Sequence, residues 1–150
     1  MIFHAIQPET SVQTKKHLFE IIAKEAAYFT KGDFHQIKER LFERDKLLGC
    51  NIGDGVAVPQ AELQGLNDVH VFVFKLNEPL AIDSFGAMPV DVVSVFLAPE
   101  ERGSENLTKL SKLMRMMRDK EMVKLIRGAT SIDAIEAILL EDFMPLQKAA

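Results

Sequence analysis

The sequence predicts an α/β (α+β) fold in which helices pack on a central sheet. Three observations point there. Helical periodicity fills both ends of the chain. Two apolar runs, VHVFVFKL and VDVVSVFL, occupy the middle, and glycine-rich turn signals separate the helical from the strand-like segments. The pattern alone leaves the strand order open.

Thr14 to Phe29 reads as a helix, with Leu18, Ile21, Ile22, Ala26 and Phe29 on one face and Lys15, Lys16, Glu20, Lys24 and Glu25 mostly opposite. Gly32 and Asp33 break it, and Asp33 is placed to cap a second helix from Phe34 to about Asp45, with Ile37, Leu41 and Phe42 inward. Gly49 to Gly55 (GCNIGDG) reads as a loop whose glycines serve positive φ or close approach. Val56 to Val58 is a short strand stopped by Pro59. Val69 to Leu76 and Val90 to Leu97 read as buried strands, because both are apolar throughout and rich in β-branched or aromatic residues. Glu100 to Glu105 reads as a polar loop. Leu107 to Met117 is helical, with Leu107, Leu110, Leu113, Met114 and Met117 on one face. Lys120 to Arg127 forms a short helix closed by Gly128. Thr130 or Ser131 caps the last helix, whose Ile132, Ile135, Ile138 and Leu139 point inward, and the tail after Pro145 is expected to be loose.

The 150 residues fit one domain, expected to span 1–150, with no repeat or linker. A hydrophobic content of 47% with 27% charged residues is that of a soluble globular protein. The net charge of -4 offers no basic stripe for nucleic acid. One cysteine, Cys50, excludes an internal disulfide and a cysteine-cluster metal site. The start MIFHAIQPET has neither the basic opening nor the apolar run of a signal peptide, and no stretch approaches a membrane span, so the cytoplasm is the expected location.

Periodicity says nothing about function, but the local strings do. Arg44-Asp45-Lys46, a glycine-spaced loop, and Ile52-Gly53-Asp54-Gly55-Val56-Ala57-Val58-Pro59 stand in that order. They are followed by Leu76-Asn77-Glu78-Pro79-Leu80-Ala81-Ile82-Asp83, Pro89-Val90-Asp91-Val92-Val93 and Asn106-Leu107-Thr108-Lys109-Leu110. This series resembles the phosphotransferase system enzyme IIA domain of the fructose/mannitol and nitrogen-regulatory type, over about residues 8 to 140. The resemblance implies that family's fold, a mixed sheet flanked by helices. It implies a histidine directly after the proline as phosphoryl acceptor from a small phosphocarrier protein, and a second histidine opening the later helix in an H-L-H-like string. Here those positions hold Gln60, Asn106 and Thr108, while Arg44 is kept. A glutamine amide nitrogen is delocalised into its carbonyl and is not a usable nucleophile, although it still donates and accepts hydrogen bonds.

The reading is therefore a regulatory protein that binds other proteins, with Arg44, Cys50, Gln60, Asn106 and Thr108 as binding positions, no catalytic residue and no metal or cofactor. The resemblance points to regulatory partners such as a transporter or sensor kinase, and to the phosphocarrier. Two alternatives stay open: a phosphoryl-transfer component using another acceptor, and a small-anion sensor anchored by Arg44. Of the remaining imidazoles, His4 lies in an expected mobile start, His17 and His35 in helical regions, and His70 in an apolar strand, where a satisfied structural histidine is the ordinary case. Their scatter lacks metal-ligand spacing. Cys50 reads as a small inert filler, Asp54 and Glu62 as loop residues, and Met114, Met116 and Met117 as core or an adaptable docking surface.

Overall fold

The computed structural model describes residues 1–83 and 87–143. Eleven elements run in the order β1 (Ile2–Ile6), α1 (Lys15–Thr30), α2 (Phe34–Leu48), β2 (Asn51–Gly53), β3 (Val56–Ala57), β4 (Gln60–Leu63), β5 (His70–Leu80), β6 (Val90–Pro99), α3 (Gly103–Arg118), α4 (Lys120–Gly128) and α5 (Ile132–Phe143).

The sheet is mixed and its path is β1-β5-β6-β3-β2, with β4 also on β6. β1 runs parallel to β5, and β5 antiparallel to β6. β3 and β4 follow one another along the same side of β6, both parallel to it, with Val56 opposite Val92 and Gln60 opposite Phe96. Helices cover both faces. Leu18, Phe19, Ile22, Ile37 and Leu41 of α1 and α2 pack with Phe72, Phe74, Val93 and Val95 on one side. Leu113, Met117, Val123, Ile126, Ile135 and Leu139 of α3, α4 and α5 pack with Val71, Val73, Val92 and Phe96 on the other. The central strands are buried on both faces, which is why they read as continuous apolar runs. No helix among the described residues is long and apolar enough to cross a membrane.

Both expected helix starts are capped by side chains. Thr14 accepts from the His17 amide at 3.0 Å, and Asp33 from the His35 amide at 2.9 Å. At the last helix Ser131, not Thr130, does the capping, accepting from Ala134 N at 3.1 Å. The GCNIGDG loop uses its glycines as expected, with φ of 69° at Gly49, 95° at Gly53 and 79° at Gly55.

Several expectations are corrected. The start is not mobile: β1 is a parallel edge strand, and its ladder comes from β5, far away in sequence, where no local pattern could announce it. The GCNIGDG loop contains β2, paired antiparallel with β3. The strand expected over Val56 to Val58 ends at Ala57, before Pro59, but pairing to β6 resumes beyond it. The ring interrupts the ladder, and the chain rejoins β6 at Gln60 to form β4. The polar stretch before Leu107 is already helix from Gly103, which turns Leu107 outward at 64% exposure. Phe29 and Ile132 are likewise more exposed than expected. The tail after Pro145 lies outside the described residues.

Candidate functional site

Strand alternation sets the site. On β4, Ala61 and Leu63 enter the core under α1 and α2, so Gln60 and Glu62 face the other way, toward α3. β4 lies outermost beside β6 at this point, so the two side chains open into a cavity of about 260 Å³ between α2 and the first turns of α3. Arg40, Glu43, Arg44 and Leu47 of α2 form one wall; their i, i+3, i+4, i+7 spacing puts them on one stripe. Gly103, Asn106, Leu107 and Leu110 of α3 form the other, and Phe96 joins Gln60 and Glu62 in the lining.

Arg44 Nη2 donates to Gln60 Oε1 at 3.2 Å. Opposite, Asn106 Nδ2 donates to Glu62 Oε2 at 3.1 Å and to the Pro99 carbonyl at 2.7 Å. Two acceptors around one amide nitrogen settle which way the Asn106 side chain points. Its Oδ1 is buried and has no hydrogen-bond partner among the described residues. Arg40 lies 4.0 Å from Glu100 at the rim. The cavity wall thus balances two guanidinium groups against two carboxylates.

Of the five sequence-derived binding positions, the fold brings Arg44, Gln60 and Asn106 to this cavity. Thr108 is exposed and its hydroxyl donates back to Ser104 O at 3.2 Å, along its own helix. Cys50 is buried in the core under α1 and α2. Burial, then the neighbouring Asp45 carboxylate, push its thiol up to about 12. Asp45 pairs with Lys15, and burial of that ammonium is outweighed by the carboxylate's hydrogen bond and charge, so the Lys15 pKa rises. Asp54 sits in the turn with φ 55°, away from the cavity, whereas Glu62 is a strand residue inside it. Arg40, Glu43, Phe96 and Gly103 escaped the sequence reading. The α2 stripe was visible as a spacing, but nothing local says that α3 comes to face it.

No histidine lines the cavity among the described residues. His4 and His70 sit on β1 and β5, beyond β6 from β4, with His4 Nε2 and His70 Nδ1 3.0 Å apart. Burial, then the nearby His70, bring His4 down to about 4. His70 is also lowered by burial, against an opposing pull from Asp68. His17 accepts from Gln13 N at 3.3 Å beside the α1 cap, and His35 is exposed at the start of α2. Met116 and Met117 are core residues and Met114 packs against that core.

Residues 3–142 match the family described as phosphoenolpyruvate-dependent sugar phosphotransferase system, EIIA 2. The chain is 33% identical over 135 residues to the nitrogen regulatory protein of Bradyrhizobium diazoefficiens, covering 90% of this chain and 88% of that one. It is 35% identical to the nitrogen regulatory protein homolog of Haemophilus influenzae over 135 residues, 87% of this chain and 82% of the relative. The crystal structure of nitrogen regulatory protein IIA-Ntr from Neisseria meningitidis superposes with a TM-score of 0.79 at 28% identity, covering 92% of each chain. The IIA mannitol structure from Escherichia coli shares the fold, with a TM-score of 0.70 at 15% identity over 87% of this chain and 92% of that one. The protein belongs to the EIIA type-2 family of the phosphotransferase system, among relatives of the nitrogen regulatory kind.

Proposed function

We propose that this protein is a regulatory member of its family that acts by binding other proteins through the face around Gln60, Arg44 and Asn106, without being phosphorylated there. The observation that carries this reading is the Arg44–Gln60 hydrogen bond in a cavity whose described lining holds no imidazole. A phosphorylated histidine at this point would add a strongly negative group. The amide adds none, and the guanidinium that would steady phosphoryl charge is engaged by a neutral carbonyl. The face then keeps one charge state, and a partner selecting the unphosphorylated form of a relative would find it permanently presented. By resemblance, such partners are regulatory proteins like a transporter or a sensor kinase.

The test incubates the protein with phosphoenolpyruvate, the first phosphotransferase enzyme and the phosphocarrier, and reads intact mass. We expect no gain, and we expect Gln60→His to acquire one phosphoryl group. Stoichiometric phosphorylation of the unaltered chain would overturn the reading. Arg40 and Arg44 on one wall favour a second reading, a small-anion sensor, although Glu43 and Glu62 oppose it. Phosphate titration watched at the Gly53 and Gln60 amides tests it, and no shift at millimolar phosphate removes it.

A further inference from the structure

We propose that the α3–α4 face is a docking surface for an acidic protein segment that carries an apolar side chain among its carboxylates. Residues 103–128 hold seven Lys and Arg against three Asp and Glu, a net +4, whereas the whole chain is at -4, which leaves -8 on the remainder. The positive excess is concentrated here, with Asp119 and Glu121 interspersed among the cations. Arg115, Arg118, Lys120 and Lys124 are exposed, and none of them has an ion-pair partner among the described residues.

Beside these cations lies a second cavity of about 300 Å³. Met88, Met117 and Val123 supply its apolar lining, and Arg118 and Lys120 its basic edge. Arg127 and Asp54 also line it; the Arg127 charge is already taken by Asp91, and Asp54 adds one acidic residue to the lining. Unpaired cations around an apolar hollow suit a partner whose carboxylates flank a Leu, Met or Phe. The charges steer and register the segment, the buried side chain holds it, and methionines adapt to its shape. A nucleic acid would meet the -8 remainder of the molecule and gain nothing from the hollow. The surface uses the C-terminal end of α3, whereas the Gln60 cavity uses its N-terminal end, so this proposal stands apart from the function proposed above.

The probe is a synthetic peptide repeating Glu-Glu-Leu, titrated into the isotope-labelled full chain and read by amide shifts. A Glu-Glu-Ser repeat, duplex DNA and phosphatidylserine vesicles are the comparisons. Shifts should centre on residues 115–128 and Met88 and weaken with salt. The Ser repeat should bind less tightly, and R118E/K120E/K124E should cost roughly tenfold or more in affinity. The three side chains are exposed, so this variant should keep the unaltered melting temperature within a few degrees; the milder R118Q/K124Q, with a smaller loss, covers the case where it does not. Silence at millimolar peptide, binding that survives both variants, equal binding of the Ser repeat, or tighter binding of DNA or vesicles would overturn the proposal.

Discussion

Arg127 grips Asp91 with both Nε and Nη2, at 2.8–3.0 Å, and the same Nη2 donates to the Asp54 carbonyl at 2.6 Å. One side chain from the end of α4 thereby ties the turn of the GCNIGDG loop to the start of β6. Gly55 makes room for it: a Cβ there would stand 2.5 Å from Arg127 Nη2, at a φ of +79°.

Arg127→Ala should destabilise by about 1–2 kcal/mol, the partial exposure of the pair keeping it below a fully buried one. Thermal unfolding should fall by about 3–8 °C. Gly55→Ala should cost at least as much, from backbone strain and displacement of Arg127. The double variant should lose less than the sum, because the clash disappears with the guanidinium. Full additivity would show that the two residues do not share this contact.

Asn106→Asp should turn an amide–carboxylate hydrogen bond into a carboxylate beside the Glu62 carboxylate and the Pro99 carbonyl. The loss should be about 2–3 kcal/mol at pH 8 and smaller near pH 4, where protonation restores a donor. Denaturant unfolding at the two pH values checks this, and equal losses at both would contradict the assigned geometry.

Cys50 should resist thiol reagents in the folded protein. With its pKa raised to about 12 from 9.0, the thiolate at pH 8 is about a thousandfold scarcer than for an ordinary cysteine, and burial slows access further. Labelling with a chromogenic disulfide should be complete only in denaturant. Rapid labelling of the native chain would exclude the buried placement.

Acid should loosen the β1 edge through His4. Unfolded, this imidazole titrates near 6.5; folded, it is held at about 4. The unfolded chain binds the proton first, so this contribution is complete above pH 6.5 and is lost as pH falls toward 4. Allowing for solvent screening, the loss is about 1–2 kcal/mol. His4→Gln should flatten the stability profile between pH 6.5 and 4 relative to the unaltered chain. An unchanged slope would show that the imidazole pair is not its source.

Long periodic segments were legible from the amino acids alone. α1, α2, α4, β5 and β6 follow from helical stripes, caps and unbroken apolar runs, because those signals live within a few turns or pleats of the chain. The motif order also led to the enzyme IIA family, and it singled out Gln60 as an amide, whose nitrogen lone pair is delocalised into the carbonyl. What the chain could not state locally was juxtaposition. β1 exists because β5 offers it a ladder, β4 because β6 continues past Pro59, and the cavity because α2 and α3, on opposite faces of the sheet, meet at its outer strand. The same geometry drew Arg44, Gln60 and Asn106 together, took Cys50 into the core and turned Thr108 onto its own helix. Spacing along the sequence names candidates, but contacts between distant segments decide which of them share a site.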